Sequence, residues 1–342
     1  MTLASVVGQP RAIDSLQAAL RGGSVHHAYL FAGPEGVGKE LAAIGLAQAL
    51  TCPVKPNEGC GACDGCVRIA KGAHPDVTLL MPDAERLERG LAGRSDFSGT
   101  PSREIRVEQI RGLLERIALR GLESKRKVAL VVDAHMMNQQ AQNAFLKTLE
   151  EPPADTTLIL LASAPDKLLP TIRSRCSKVY FGPLPVELIS ERLQKERKLD
   201  PQTAELAAVM AGGSLGRAMA LDLDALTARK EVISGFEALK PGDIGAQLRW
   251  AETYGATREL AEQALSILST WTRDVALAKV GGERLANKDL AQLAHEVAAR
   301  THEATLHRRH ALLEKTKATI VERNGAPRLQ LERMLIELLE GR

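Results

Sequence analysis

Short continuous runs of hydrophobic residues recur through the first half of the chain and predict buried strands. Between them lie longer segments in which apolar residues return every three or four positions, a pattern typical of helices that bury one face. The predicted strands span 28–32, 76–81, 127–133 and 157–163, and the predicted helices span 41–50, 107–118 and 138–151. Because strands that are buried on both faces read as continuous apolar runs, residues 1–182 are predicted to form an α/β domain around a parallel sheet.

Residues 85–104 interrupt this alternation. The segment is rich in glycine, serine and charged residues and has neither helical nor strand periodicity. We interpret it as a mobile surface loop whose role stays open.

Strand patterns stop after Pro183, and the rest of the chain is predicted to be helical. Three short helices at 186–197, 200–211 and 216–228 predict a small helical domain over 183–229. Five more helical segments, at 246–254, 258–279, 288–299, 303–322 and 328–339, predict an all-α domain over 230–342.

The composition is that of a globular chain with two or three domains. Among its 342 residues, 44% are hydrophobic and 25% are charged, and the net charge is only +3. This charge does not by itself require a nucleic-acid partner, and an aromatic content of 3% leaves few platforms for stacking unpaired bases. No apolar run reaches the length of about 18 residues that a membrane span needs, and the first residues lack the order of a signal peptide. We therefore expect a cytoplasmic protein without membrane contact.

The segment GPEGVGKE at 33–40 follows a predicted strand, precedes a predicted helix and fits a phosphate-binding loop at every position but the last. In such a loop, glycines such as Gly33, Gly36 and Gly38 allow backbone N–H groups to surround phosphate oxygens. Lys39 would reach the terminal phosphates.

Two positions that hydrolysis requires carry the wrong side chain. Glu40 stands where a serine or threonine hydroxyl would hold magnesium, and it adds a negative charge near the phosphates. Asp133 follows a predicted strand as the first acid of the usual acidic pair, but the second position, whose carboxylate polarises the attacking water, is Ala134. Loss of a general base costs roughly 100- to 10,000-fold in rate, so we expect no hydrolysis by this chain alone. An empty loop kept for packing is the favoured interpretation, and ATP binding without hydrolysis stays open.

Four of the five cysteines fall within fifteen residues and predict a structural zinc site. Cys52, Cys60, Cys63 and Cys66 are interspersed with glycines that permit a tight backbone, and four thiolates satisfy tetrahedral zinc. An iron–sulfur cluster is the alternative, although the spacing does not match ferredoxin patterns. Cys176 lies far from the cluster and is predicted to be a buried thiol.

Five segments together carry a family signature. They are Val7-Gly8-Gln9, His27-Ala-Tyr-Leu-Phe31, the four-cysteine insert, Asn143-Ala-Phe-Leu-Lys-Thr-Leu-Glu-Glu-Pro-Pro153 and Ile172-Arg-Ser-Arg-Cys176. Over at least residues 5–220 the chain resembles bacterial clamp-loader subunits, which are AAA+ proteins of the DNA polymerase III holoenzyme. The catalytic gamma/tau members carry an intact Gly-Lys-Ser/Thr and a full acidic box. The departures at 40 and 134 make this chain resemble the delta' members instead.

The resemblance implies that the chain is divided into three domains. Residues 1–182 would form the AAA+ P-loop domain, with a zinc module at 52–66. Residues 183–229 would form its helical lid, and 230–342 would form the collar through which subunits assemble.

The resemblance also implies roles for single residues. Arg175 matches the arginine finger, which would reach the terminal phosphate of ATP on a neighbouring subunit, and the motif favours it over the nearby Arg173. A guanidinium supplied in this way is commonly worth roughly 1,000- to 100,000-fold in rate. Ser163 matches sensor 1, Arg217 matches sensor 2, and Asp133 matches the first acid of the box.

The resulting hypothesis is a non-hydrolysing, delta'-like subunit of the clamp loader. It would assemble with gamma/tau and delta subunits, present Arg175 to a neighbour, and help to load the beta sliding clamp on primed DNA, with delta contacting the clamp more directly. An active ATPase motor of gamma/tau type is the alternative, and a zinc-dependent nucleic-acid-binding module is a third. The basic run Lys125-Arg126-Lys127 is interpreted as a solvated turn, with contact to DNA phosphates as its alternative. Subunit order and stoichiometry stay open.

Overall fold

The structure is a computed structural model that describes residues 2–221, 223–282, 285–322 and 325–341. Contacts within the chain divide it into two compact units. The first unit runs to Leu188 and includes Gly213–Gly216, and the second comprises Ile189–Gly212 and the residues from Arg217 onward.

The first unit is built on a parallel sheet. Its strands are β1 (Ala28–Ala32), β2 (Val77–Leu80), β3 (Lys127–Val131), β4 (Thr156–Ala162) and β5 (Ser177–Tyr180). Its helices are α1 (Pro10–Arg21), α2 (Lys39–Thr51), α3 (Asp64–Ala70), α4 (Asp83–Glu88), α5 (Val107–Ala118), α6 (Gln139–Glu150) and α7 (Pro170–Arg175). The strand order is β2-β3-β4-β1-β5, and all neighbouring strands are parallel. The predicted α/β class with a parallel sheet is confirmed.

Burial on both faces of the sheet explains the continuous apolar runs. All five residues of β1 are buried. Tyr29 and Phe31 pack on one face in a cluster with side chains of α1 and α2. Leu30 packs on the other face in a cluster with Ile110 of α5 and Phe145 of α6.

Strand β5 lies outside the elements that the pattern predicts. It is an edge strand, so Val179 is buried whereas Lys178 and Tyr180 are exposed. Four residues with one buried position give no continuous apolar run. Helices α1, α3, α4 and α7 also lie outside the predicted elements.

The interpretation of 85–104 as a loop is wrong at its start. Helix α4 covers Asp83–Glu88, and a short 3-10 helix covers Arg94–Asp96. No residue of α4 is buried, so the helix has no apolar stripe from which it could be predicted.

The secondary structure of the second unit consists of helices in its described residues. Its helices are α8 (Val186–Arg197), α9 (Pro201–Met210), α10 (Leu215–Ala220), α11 (Leu223–Glu237), α12 (Ile244–Tyr254), α13 (Arg258–Lys279), α14 (Ala291–Arg300), α15 (Glu303–Glu322) and α16 (Pro327–Leu339). Helices α8 and α10 begin in the first unit. The helix-rich C-terminal region is thereby confirmed. The helix predicted over 216–228 is divided between α10 and α11, and position 222 within it lies outside the described residues. The division into three domains stays a prediction.

Two tryptophans belong to the core of the second unit. Trp271 of α13 is fully buried, and Trp250 of α12 packs in the same cluster. Among the helices that the structure describes, none combines the length and the apolar character that crossing a membrane would require.

Candidate functional site

Three of the predicted site segments meet at the carboxyl edge of the sheet. The phosphate-loop segment follows β1, Asp133 follows β3 shortly after its last residue, and Ser163 follows β4. Because the strands are parallel, the segments after them lie at the same edge, where α/β sheets bind ligands. Ser163 Oγ lies 3.2 Å from Nε2 of His135, and Nδ1 of that imidazole lies 3.9 Å from Oδ1 of Asp133. His135, which the sequence reasoning missed, therefore lies between two of the predicted residues.

The phosphate-loop segment is packed against another part of its own unit. Gly36 has φ of +70°, and a Cβ at this position would lie 2.3 Å from Ser214 Oγ. The backbone N–H of Gly216 donates to the Gly36 carbonyl at 3.0 Å. Gly33 follows β1 directly, and Gly38 is the N-cap of α2. Glycine at 36 thus serves the contact with 213–216 as well as the loop conformation.

Lys39 is engaged by the loop itself. Its ammonium group donates to the carbonyl of Gly33 at 2.7 Å and to the carbonyl of Pro34 at 2.5 Å. Burial lowers the pKa of Lys39, while the charges of Asp133 and Glu35 oppose that shift. A phosphate would therefore have to draw Lys39 away from two carbonyl partners.

Glu40 is paired with Arg89, the residue that directly follows α4. Both carboxylate oxygens of Glu40 accept hydrogen bonds from Arg89, at 2.6 and 2.9 Å. Arg89 also pairs with Glu85 at 2.5 Å, one helical turn earlier. Burial raises the pKa of Glu85 to about 7, although Arg89 opposes the rise. The negative charge expected at this position is therefore paired with a cation, and an ion pair stands where the magnesium-binding hydroxyl would be.

The second position of the acidic box is apolar and closed. Ala134 is fully buried at the start of a short 3-10 helix, and Asp133 before it adopts a left-handed backbone conformation with φ of +47°. No carboxylate can act on an attacking water from position 134.

Gln9 is a further structural partner of the loop, and its contacts lie beyond the reach of sequence reasoning. The buried side-chain amide donates to the carbonyl of Gly182 at 2.7 Å and to the carbonyl of Val37 at 3.2 Å. The Gly182 N–H donates back to the side-chain oxygen Oε1 of Gln9 at 3.1 Å. One side chain therefore joins the loop to the segment that follows β5.

The four clustered cysteines converge on one point. The sulfurs of Cys52, Cys60, Cys63 and Cys66 all lie within 4.8 Å of one another. The Cys52–Cys63 and Cys60–Cys66 sulfur pairs are 3.9 and 3.8 Å apart. A tetrahedron of thiolates around zinc, with Zn–S bonds of about 2.3 Å, has edges of about 3.8 Å. The donor set and its geometry therefore fit a metal ion bound by four thiolates.

The surroundings of the cluster act in opposite directions on two of its thiols, and they fit a tight turn. Backbone N–H groups of Ala62 and Cys63 lower the pKa of Cys60 to about 6, whereas burial raises the pKa of Cys66 to about 12. The fully buried Gln48 donates to the Cys66 carbonyl at 2.8 Å. Gly59 has φ of +75°, and a Cβ there would lie 3.0 Å from Cβ of Gln48.

Zinc analysis of the purified chain is expected to find about one zinc ion per molecule. Replacing Cys60 with serine should remove most of this zinc and lower the melting temperature, because the remaining thiolates no longer close the coordination sphere. Cys176→Ala is the matched control, since this buried thiol lies outside the cluster and should leave the zinc content unchanged. Iron and acid-labile sulfide in place of zinc would instead support the iron–sulfur alternative.

Arg175 lies at the edge of the sheet opposite the phosphate-loop segment. It ends α7 just before β5 begins. Strands β1 and β5 pair in parallel from Tyr29 opposite Ser177 to Ala32 opposite Tyr180. At about 3.3 Å per residue, roughly 13 Å of strand separates the two edges. Arg175 is thus placed away from the loop of its own chain.

An ion pair within the chain holds Arg175. Its Nη2 lies 2.6 Å from Oε1 of Glu150 at the end of α6, and its Nη1 donates to the Thr171 carbonyl at 3.1 Å. The side chain is 36% exposed. The neighbouring Arg173 is paired separately with Asp166 at 2.7 Å.

Two remaining sequence predictions have different outcomes. Cys176 is a buried free thiol, as predicted, and burial raises its pKa to about 12. Arg217 lies in α10 of the second unit, and its match to sensor 2 stays a prediction.

Comparison with known proteins finds similarity to subunits of DNA polymerase III. Residues 8–185 match the family described as DNA polymerase III, delta subunit. The chain is 32% identical to DNA polymerase III subunit delta' of Bacillus subtilis, over 97% of both chains. It is 35% identical to subunit delta' of Pseudomonas aeruginosa over 68% of this chain and 67% of that protein. It is also 35% identical to subunit tau of Escherichia coli over 64% of this chain, but the match spans only 32% of tau.

Proposed function

Since the chain belongs to the family of the DNA polymerase III delta' subunit, we propose that it is a clamp-loader subunit that does not itself hydrolyse ATP. In this proposal it assembles with gamma/tau and delta subunits. The complex then places the beta sliding clamp on primed DNA, and this chain contacts the clamp only indirectly.

The main support for the non-hydrolysing role is that two charged side chains of the phosphate-loop segment are already bonded to groups of the same chain. Lys39 is bonded to two loop carbonyls, and Glu40 is bonded through both oxygens to Arg89. Magnesium would find a paired carboxylate where it needs a hydroxyl. Ala134 removes the group that would activate water. The loop then serves the packing of the domain, through its contacts with Gln9 and with 213–216.

The remaining parts of the proposal follow the architecture. The sheet domain would be an AAA+ domain, with Asp133 and Ser163 at the edge of the sheet where AAA+ proteins bind the nucleotide. Arg217 would be the sensor 2 residue of the lid over 183–229. The helices of 230–342 would form the collar. The four cysteines would hold zinc as a structural ion that fixes the turn between α2 and α3.

Arg175 would serve the ATP site of a neighbouring subunit. Its placement at the amino edge of the sheet, roughly 13 Å of strand from the loop after β1, supports action across a subunit boundary. A guanidinium in this role stabilises the charge that develops on the transferred phosphoryl group.

The experiment that tests the proposed function is reconstitution. The purified chain with magnesium and ATP is expected to show no turnover above background. Mixed with gamma/tau and delta, it is expected to complete a loader whose ATPase responds to the clamp and to primed DNA. Lys39→Ala in this chain should leave that rate unchanged, because Lys39 serves its own loop. The corresponding lysine of gamma/tau is the matched control, and its replacement should abolish hydrolysis.

A motor of gamma/tau type is the second candidate, because the chain also resembles tau over 226 residues. Turnover by the purified chain that disappears in Lys39→Ala would establish this alternative and overturn the non-hydrolysing role. Failure to enter a complex with gamma/tau and delta would overturn the loader assignment itself.

A further inference from the structure

A cavity of about 610 Å³ lies at the outer edge of the sheet in the first unit. Its walls are the segment from Gly72 to Leu79, the end of α5, and the turn between α5 and β3. Neither the phosphate-loop segment nor the cysteine cluster contributes to it.

One wall of the cavity is an unpaired strand edge. Strand β2 is the outermost strand, and its single sheet neighbour among the described strands is β3. The N–H groups of Val128 and Val132 donate to the carbonyls of Asp76 and Leu80. Alternate residues of a strand turn their backbone groups to opposite sides, so those of Leu79 turn away from β3. Within the described parts of the chain, the backbone of Leu79 has no hydrogen-bond partner on that side.

A second wall is the turn between α5 and β3, which is held in place by hydrogen bonds. Leu119 and Leu122 lie on this turn with side chains that are 67% and 81% exposed. The Asp76 carboxylate accepts the N–H groups of Leu122, Glu123 and Ser124, each within 2.8 Å. The Lys127 ammonium donates to the Leu119 carbonyl at 2.7 Å. This turn is therefore fixed before any ligand binds, and the charged groups of Asp76 and Lys127 are already hydrogen-bonded within the chain.

The charge that remains is positive. Arg116 and Arg120 line the cavity and are exposed. Neither forms an ion pair with an acid in the residues that the structure describes. The surface thus combines a strand edge that can pair with another strand, two exposed leucines and two unpaired cations.

We propose that this surface, formed by Leu79, Arg116, Leu119, Arg120 and Leu122, binds an extended acidic peptide segment of a partner protein. The segment would add to β2 as a further strand, with main-chain hydrogen bonds to Leu79. Its apolar side chains would cover Leu119 and Leu122, and its carboxylates would pair with Arg116 and Arg120. The mixed character of the surface favours this occupant over a nucleic-acid backbone, which would need the cations but neither the strand edge nor the leucines.

The test is a binding measurement with the full chain and a fluorescein-labelled peptide of alternating valine and glutamate, followed by fluorescence anisotropy at low salt. The peptide is expected to bind. The double variant Arg116→Glu with Arg120→Glu should weaken binding by about tenfold or more, because attraction becomes repulsion. Leu122→Ser should weaken it by about threefold or more through lost apolar contact. The matched control is Arg11→Glu with Arg21→Glu, which changes the net charge equally on α1 and should leave binding unchanged.

Two further probes separate strand addition from simple charge attraction. A peptide with the same side chains but N-methylated at alternate residues cannot donate to the strand edge and should bind at least about tenfold more weakly. A peptide of valine and lysine should not bind. Failure of the acidic peptide to bind, or equal binding of the N-methylated peptide, would overturn the proposal. A duplex DNA oligonucleotide that binds in a manner sensitive to the arginines but indifferent to Leu122→Ser would identify a phosphate-binding surface in its place.

Discussion

Replacing Arg175 with alanine is expected to reduce ATP hydrolysis at the site of the adjoining subunit by about 1,000-fold or more. The expectation follows from position and chemistry together. Arg175 ends α7 at the amino edge of the sheet, with its guanidinium partly exposed beside Glu150. In an assembled loader it would leave this carboxylate for a phosphate with greater charge. Assembly should persist, because the variant removes no buried side chain.

The measurement is phosphate release by the reconstituted loader after rapid mixing with ATP. Each active site contributes to the amplitude of the initial burst, so the loss of one site lowers that amplitude. Arg173→Ala is the matched control, since it removes a neighbouring arginine of the same helix, with a separate ion pair to Asp166, and should not change the burst. Glu150→Gln should retain the burst, because it frees the guanidinium without removing it. An unchanged burst in Arg175→Ala, with loss in Arg173→Ala, would move the finger to Arg173. No loss in either variant would remove the assignment.

Replacing Glu237 with alanine is expected to destabilise the second unit by about 3–5 kcal/mol. Glu237 ends α11, and its side chain is only 8% exposed. One carboxylate oxygen accepts hydrogen bonds from Trp271 at 2.8 Å and from Arg309 at 2.7 Å. Its loss leaves the Arg309 cation buried without its acidic partner, and this costs more than the pair contributes. The stacking of Arg309 on Phe236 would offset part of the cost.

Urea unfolding followed by tryptophan fluorescence checks this prediction in the full chain. Both tryptophans, Trp250 and Trp271, lie in the second unit, so the signal reports on that unit. Glu252→Ala is the control, because its ion pair with Arg328 is exposed to solvent and should change the free energy of unfolding far less than the buried pair does.

A double variant separates the buried charge from the lost hydrogen bond. The double variant Glu237→Met with Arg309→Met removes both charges, so it should destabilise the second unit less than Glu237→Ala alone. The loss of about 1–3 kcal/mol that remains is assigned to the Trp271 N–H, which no longer has an acceptor. If Glu237→Ala and Glu252→Ala had the same free energy of unfolding, the prediction would be wrong, because the buried pair would then contribute no more to stability than the exposed one.

Much of the sheet domain could be predicted because its signals are local. Strands β1 and β4 are buried along their whole length, so their apolar runs stand out in the sequence. The four cysteines lie close enough along the chain that spacing alone predicts their convergence. Strand β5 and helix α4 escaped prediction for the opposite reason, since an edge strand and a helix without buried residues carry no run or stripe.

The sequence by itself determined the α/β class, the helical C-terminal region, the clustering of four cysteines and the two departures from the hydrolytic motifs, at Glu40 and Ala134. Each depends on residue types in a short window, where spacing fixes geometry. Only the tertiary structure decided that Arg89 neutralises Glu40, that Gln9 ties the loop to Gly182, and that Glu237 meets Arg309. These partners are 49 to 173 residues apart along the chain. Long-range ion pairs and hydrogen bonds depend on which elements the fold brings together, and no local periodicity records that choice.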